Sequence, residues 1–355
     1  MKAMSSEPAT PLLPYVSVLI PTLNAGRTLD LCLASIRLQD YPRERLQIIL
    51  ADAGSHDNTL DLARQYGVDK IVPNPLKTGE AGKTEAAKAA DGEILALIDS
   101  DNILPDAHWL SQMVAPFADG SIIASEPLEY TCRPEDPELT RYFALLGMND
   151  PLCFFIGNYD RLCTLSGKWT GLNLETEDCE GWLKVRIQAN RPVPTIGANG
   201  FLIRKSALTA VNWSPYWFDV DVLRDAARHA PQQVINVAKV KCGIVHLYCR
   251  TLDEFARKQE RRVRDFLFFS NDRKRVEVPG EKRQKLIGIF KFTLATVTII
   301  PLLLQRAKGA RLHPDAAWRM HLPVCAVTLK QYAFGVIRKL LGFKQAPVSR
   351  ENWRQ

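Results

Sequence analysis

Residues 93–101 read EILALIDSD, a short apolar run closed by two carboxylates one residue apart. An apolar run of this length between polar flanks reads as a buried strand. Working outward, YVSVLIP (15–21), LQIILAD (46–52) and the short segment 70–72 have the same β-branched, apolar character. Between them lie segments of helical character: 28–38, with apolar residues at 29, 31, 33 and 36, then 58–66, then the Ala-rich segment 83–90 closed by Asp91-Gly92. Strands alternating with helices predict an α/β fold with a largely parallel sheet and helices on both faces. In such sheets ligands bind beyond the carboxyl ends of the strands. That is where Asp99 and Asp101 fall. In an extended backbone residues i and i+2 face the same side, so both carboxylates are expected to face one divalent cation while Ser100 turns away. A cation held by only one or two carboxylates keeps positions open for diphosphate oxygens.

A second phosphate-binding candidate is set aside. KTGEAGKT (77–84) resembles the end of a phosphate-binding loop, with ILALIDSD (94–101) as its acidic strand. The loop needs Gly-x4-Gly-Lys-Thr, and Lys77 stands where the first Gly belongs, with Pro73 and Pro75 removing two N–H donors just upstream.

The chain has 355 residues, 46% of them hydrophobic and 24% charged, and this composition excludes both a disordered chain and a disulfide-stapled miniature scaffold. The mean hydropathy of −0.13 excludes a polytopic membrane protein. A net charge of +7 hides a strong asymmetry: residues 1–250 hold 24 Lys+Arg against 30 Asp+Glu, whereas 251–355 hold 22 against 9. An acidic body joined to a basic tail points to an anionic surface for the tail. The N-terminus lacks the apolar core of a signal peptide, so the body is expected in the cytoplasm. Eight cysteines without a CxxC pair read as reduced thiols.

Four blocks in register, VSVLIPTLNAGRTLDLCLASI (16–36), IILADAGSHDNT (48–59), GKTEAAKAADGEILALIDSDN (82–102) and GANGFLIRKSAL (197–208), resemble the family 2 glycosyltransferases of the GT-A fold. The resemblance runs over roughly residues 15–270. It implies an inverting transferase that moves a sugar from a nucleotide-sugar, usually a UDP-sugar, with Mg2+ or Mn2+. By the same resemblance Pro21 and Thr22 line the nucleoside pocket, and Asp52 accepts a hydrogen bond from the base. The family's frequent Asp-Asp-Gly-Ser is here Asp52-Ala53-Gly54-Ser55, so the second Asp is lost. Lys83 falls near the diphosphate, Asp99 near the nucleotide and cation, and Asp101 on the cation. His246, in GIVHLY, falls where relatives carry a His near the metal, although a buried structural role is also open.

Inversion needs a general base that takes the acceptor proton, a task that suits a carboxylate. Thr176-Glu177-Asp178 spells the family's motif but precedes GANGFLIRKSAL. Asp219-Val220-Asp221 follows that block and precedes QERRV (259–263), which resembles the Gln-x-x-Arg-Trp motif of the processive branch. Asp221 is therefore expected as the base, supported by Asp219, with helix capping as the structural alternative. Arg262 is expected at the donor, and Val263, where the motif has Trp, favours transfer of a single sugar.

Residues 286–304, LIGIFKFTLATVTIIPLLL, would make a helix about 28 Å long against a hydrocarbon core of about 30 Å. Pro301 is expected to kink or end it, and a basic connector would lie on the wrong side of a full span. A re-entrant hairpin or in-plane helices on an anionic leaflet is the expectation, with core helices of a soluble subdomain as the alternative. No nucleic-acid motif accompanies the charge. The expected organisation is an N-terminal tail (1–14), the catalytic domain (15–250), a basic amphipathic helical segment (251–285), apolar membrane-associated helices (286–345) and a tail (346–355). The expected function is transfer of one sugar to a lipid-linked or glycan acceptor at the cytoplasmic face of the inner membrane. A non-catalytic nucleotide-sugar-binding scaffold and a nucleotidyltransferase are the other classes left open.

Overall fold

The computed structural model describes residues 13–342 apart from 210, 212, 215, 218 and 270–277. Strands β1 (Val16–Thr22), β2 (Leu46–Asp52), β3 (Lys70–Pro73) and β4 (Ile94–Leu97) alternate with helices α1 (Gly26–Arg37), α2 (Thr59–Gln65) and α3 (Gly79–Lys88). β1 pairs in parallel with both β2 and β4, and β3 joins β2 in parallel. Val18 and Ile20 enter one apolar layer while Leu19 enters the other, and Ile48 and Leu50 alternate with Ile49 and Ala51 in the same way. Both faces are covered, which is why Val18–Ile20 and Ile48–Ala51 are apolar at consecutive positions rather than at every second one.

After β5 (Asn102–Ile103) and α4 (Trp109–Val114) come β6 (Ile122–Tyr130), α5 (Glu138–Leu146), α6 (Leu152–Ile156), β7 (Glu175–Cys179), β8 (Trp182–Gln188) and β9 (Phe201–Arg204). α7 (Asp219–His229), β10 (Val234–His246) and α8 (Leu252–Phe269) complete the body. The sheet runs β3-β2-β1-β4-β9-β6-β10-β8-β7, with β5 paired to β10. β9 is antiparallel to β4 and β6, and β8 is antiparallel to β10 and β7, so the sheet is mixed.

α9 (Glu281–Thr298), α10 (Ile300–Leu312) and α11 (His321–Leu340) pack on α5, α6 and α8 through two further apolar clusters, one around Trp318 and Phe143, the other around Phe292 and Leu152. Two contacts leave no room for a side chain: a Cβ at Gly288 would lie 2.6 Å from Ile156 Cα, and one at Gly335 would lie 2.4 Å from Val263 Cγ1. Val263, at the position of the motif's Trp, is thus buried against α11. No single helix among the described residues is long and apolar enough to cross a membrane; α9 and α10 satisfy the length and composition only as a pair bent by 91°. The break lies at Ile299 (φ +65°), two residues before Pro301, which occupies the first turn of α10 where its missing N–H costs no hydrogen bond.

Two local expectations are corrected. α3 begins at Gly79, four residues earlier than periodicity suggested, because the Thr78 hydroxyl accepts from Ala81 N and caps the helix. β4 ends at Leu97, so Asp99 and Asp101 lie in a turn and not in extended backbone. Asn102 N donates to Asp99 O (2.8 Å), and the Asn102 carboxamide oxygen accepts from Asp99 N (2.8 Å).

Candidate active site

A cleft of about 440 Å³ opens at the carboxyl ends of β1 and β4. β1 delivers Pro21 and Thr22 to its wall, and the turn after β4 delivers Asp99, Ser100 and Asp101. Ser100 lines the cleft with its neighbours, contrary to the alternation argument, because a turn presents consecutive residues to one side. The two-residue strand β5 then sets the partner of Asp101. Asn102 pairs with His246 and Ile103 with Val245, while Leu247 N donates to Asp101 O at 2.8 Å. This register brings His246 Nε2 to 3.6 Å from Asp101 Oδ1. Burial pushes the His246 imidazole down to about 4, so at neutral pH the ring is uncharged.

Cations surround these groups. Lys83, buried on α3, places Nζ 3.7 Å from Asp99 Oδ1. Burial raises Asp99 above the ordinary carboxylate range, and Lys83 works against that rise. From α8, Lys258 Nζ lies 3.8 Å from Asp101 Oδ2 and donates to the Tyr248 carbonyl; burial lowers its pKa. Arg261 and Arg262 line the same wall. Arg262 is anchored by Asn149 O and Gln259 Oε1, both at 3.2 Å. A wall of cations facing two carboxylates suits a diphosphate bound together with a cation.

The far wall is the loop Gly197-Ala198-Asn199-Gly200. Asn199 holds φ +51° and Gly200 φ +89°, where a Cβ would press within 3.0 Å of Ile244 and Trp109. Buried charges hold the loop from behind. Arg161 donates to Ala198 O and Asn199 O, both at 3.0 Å, and pairs with Glu126 at 2.6 Å. Glu126 accepts from Gly197 N at 3.0 Å and from Lys239 at 2.7 Å. Burial lowers Lys239 to about 8.

Of the residues expected from sequence, Pro21, Thr22, Lys83, Asp99, Asp101, His246 and Arg262 meet in this one cleft. Asp52 does not line it. Its carboxylate is occupied by Thr22 Oγ1 (2.9 Å), Gly54 N (2.9 Å), Ser55 N (2.8 Å) and Ser55 Oγ (2.6 Å), so it organises the turn after β2. Asp221 is half-buried on α7 beside Asp225 and also does not line the cleft. The side chain of Asp219, the first residue of α7, lies outside the described residues. Tyr216, three residues before α7, does reach the cleft and donates to Glu80 Oε2 at 3.1 Å. Sequence reasoning missed Glu80, Asn149, Tyr248, Lys258 and Arg261. For Lys258 and Arg261 the signal was present, since both flank Gln259 in the motif that placed Arg262.

Two donors 3.6 Å apart lie within reach of one cation with ligand distances of about 2.0–2.2 Å. Among the described residues no group of three or more His, Cys, Asp or Glu could hold a metal ion. The protein would thus supply Asp101 and His246 and leave the remaining positions to water and phosphate oxygens, as hard divalent cations commonly do.

Comparison with known proteins agrees with the fold. Residues 17–160 match the sequence model of Glycosyl transferase family 2. Glycosyltransferase AglE of Haloferax volcanii is 30% identical over 111 residues, covering 30% of this chain and 36% of that protein. An N-acetylglucosaminyltransferase of Azorhizobium caulinodans is 34% identical over 103 residues, covering 27% and 26%. This chain thus spans about a third or less of the length of these curated relatives. The solved mannosyltransferase PcManGT from Pyrobaculum calidifontis, in complex with GDP-Man and Mn2+, superposes with a TM-score of 0.52 at 16% identity over 97% of this chain and 92% of that one, a likeness of fold. The match over residues 17–160 and the mixed GT-A-like sheet make the chain similar to glycosyl transferase family 2 over that segment.

Proposed function

We propose that this protein is an inverting, divalent-cation-dependent glycosyltransferase that moves a single sugar from a nucleotide-sugar, with UDP-sugars the first donors to test, to a lipid-linked or glycan acceptor of the cell envelope. The observation that carries this reading is the Asp101–His246 pair at 3.6 Å with Lys258 beside it and Lys83, Arg261 and Arg262 around the same cleft. Mn2+ or Mg2+ held by Asp101 and His246, near Asp99, would neutralise diphosphate charge as the leaving group departs.

The chain's own groups account for the rest. Pro21 and Thr22 border the nucleoside side of the cleft, with Asp52 keeping the neighbouring turn in shape. Lys83, Lys258 and Arg262 offer charge-assisted hydrogen bonds to phosphate oxygens, and their interactions strengthen as charge builds on the leaving diphosphate. A carboxylate of the Asp219-Val220-Asp221 segment takes the acceptor hydroxyl proton as that oxygen bonds to the anomeric carbon. The anomeric carbon–phosphate oxygen bond breaks, and the nucleoside diphosphate leaves with the electron pair, inverting the configuration.

The test is a screen of nucleotide-sugars for transfer or hydrolysis by the purified chain, with membrane lipid extract as acceptor, with Mn2+, with Mg2+ and with chelator. Release of nucleoside diphosphate only with cation supports the reading. Pyrophosphate release, or donor binding and turnover unaffected by chelator, overturns it.

A further inference from the structure

Sixteen of the 21 large hydrophobic side chains exposed on the described surface belong to residues 286–341. They are concentrated on α9 and α10. α9 buries a narrow inner stripe that includes Gly288, Phe292 and Ala295. Its outer side carries Phe290, Leu294 and Val297 at i, i+4 and i+7, and that apolar row continues around the bend into Ile300, Leu303 and Leu304 of α10. Phe290, Val297 and Leu304 are 68%, 68% and 67% exposed. A contiguous outer row of this kind marks an interaction surface rather than scattered surface residues.

The polar atoms at the bend are turned inward. Thr296 Oγ1 donates to Phe292 O at 2.8 Å and Thr298 Oγ1 to Leu294 O at 2.7 Å, so both hydroxyls are satisfied within the helix. Ile299 N donates to Ala295 O and Leu303 N to Ile299 O, both at 3.0 Å, carrying backbone pairing through the break. A bend so satisfied can enter an apolar medium without stranding a donor at those positions. Charge decides the occupant. Residues 278–342 contain eleven Lys and Arg against Glu281 and Asp315. Both acids are already paired, Glu281 with Arg224 and Lys285, Asp315 with Arg141. Lys282 and Arg283 open α9, and Arg306, Lys308 and Arg311 close α10, so both ends of the apolar bend are basic.

We propose that the α9–α10 bend is a monotopic docking surface for an anionic phospholipid leaflet, entering the headgroup and acyl boundary at Val297–Leu304 while its basic ends lie among the headgroups. The chain rests on one leaflet, and the 91° bend stops either helix from continuing across.

The experiment is flotation of the full chain with vesicles of phosphatidylcholine alone and of phosphatidylcholine with 30% phosphatidylglycerol, in the same buffer at low and high salt. The wild type floats with the anionic vesicles and at least tenfold less with the neutral ones, and high salt weakens the binding. Val297→Glu/Leu304→Glu, both exposed positions, stays at the bottom while keeping the wild-type melting temperature, and Lys282→Glu/Arg283→Glu floats several-fold less. Wild-type protein that ignores anionic vesicles, or a Val297→Glu/Leu304→Glu variant that floats like wild type, overturns the proposal. So does a vesicle-free dimer that this variant converts to monomer, since the row would then be covered by a second copy. Flotation reads no turnover, so its outcome is independent of the sugar chemistry.

Discussion

The Tyr332 hydroxyl donates to Asp150 Oδ2 at 2.7 Å, joining α11 to the residues behind the cleft wall. The same carboxylate oxygen accepts from Gln259 Nε2 at 2.8 Å and faces Arg262 Nη1 at 3.7 Å, while Oδ1 accepts from Leu152 N at 2.9 Å. Asp150 is buried, and donors from α6, α8 and α11 satisfy its carboxylate. α11 is thereby tied to the arginine expected at the diphosphate.

Tyr332→Phe removes one of those donors without creating a large cavity. A hydrogen bond to a charged group contributes about 1.5–3 kcal/mol, so urea denaturation should show a loss of that order. Donor affinity should fall a few-fold through Arg262 while kcat is largely kept, a split that steady-state kinetics resolves.

Asp101→Ala and His246→Ala each remove one of the two protein ligands proposed for the cation. Each should lower kcat/KM by about 100-fold or more, matching several kcal/mol of lost charge stabilisation. Calorimetric titration with Mn2+ in the presence of nucleoside diphosphate should show the loss of cation binding directly. Wild-type protein in chelator should match the variants.

Asp219→Asn and Asp221→Asn separate the two candidates for the base. The true base should lose about 10²–10⁴-fold in kcat with donor binding intact. The other carboxylate should change turnover by less than tenfold. Asp221 is half-buried on α7 and lies off the cleft wall, so near-normal turnover of Asp221→Asn would leave Asp219 as the base.

Arg161→Met should be among the most damaging single changes. It leaves Glu126 buried with one cationic partner fewer and releases the carbonyls of Ala198 and Asn199. Breaking a buried ion-pair network costs about 3–5 kcal/mol, measurable as a lower denaturation midpoint. Because the released loop lines the cleft, donor affinity should fall in parallel.

His321 sets an acid limb of stability. Its ring is held between the Tyr142 hydroxyl at Nδ1 and Gln305 Oε1 at Nε2, both at 2.8 Å, and burial pushes it down to about 4. The unfolded chain takes up a proton near pH 6.5, whereas the folded ring refuses it until about pH 4. Stability from this group is therefore fully present above pH 6.5 and declines as pH falls toward 4. His321→Gln should flatten that limb in denaturation curves recorded from pH 7 to pH 4.

The strands were legible because burial on both faces forces continuous apolar runs, as in Leu46–Asp52, where the observed strand coincides with the run read from sequence. Asp99 and Asp101 were legible because they terminate such a run, although the geometry inferred for them was not the one found. Asn102, with its side chain on Asp99 N, converts extended chain into a turn, and periodicity carries no signal for that. Asp52 was legible as a residue but not in its bonding. Three of its four donors come from a turn whose conformation depends on Gly54 at φ +88°, and the fourth, Thr22 Oγ1, comes from the neighbouring strand β1.

By itself, sequence determined the α/β body, the cleft end of the sheet, the acidic pair after β4 and the apolar, basic character of the C-terminal helices. These are short-range properties, set by burial periodicity and by local charge. Tertiary structure alone decided that His246 meets Asp101 through the β5–β10 pairing, that Lys258 and Arg261 complete the cationic wall, that Val263 packs on Gly335, and that α9 turns at Ile299 instead of running on. Each of these depends on strand register or helix docking between residues far apart in the chain, and pairwise geometry of that kind leaves no trace in the spacing of any one segment.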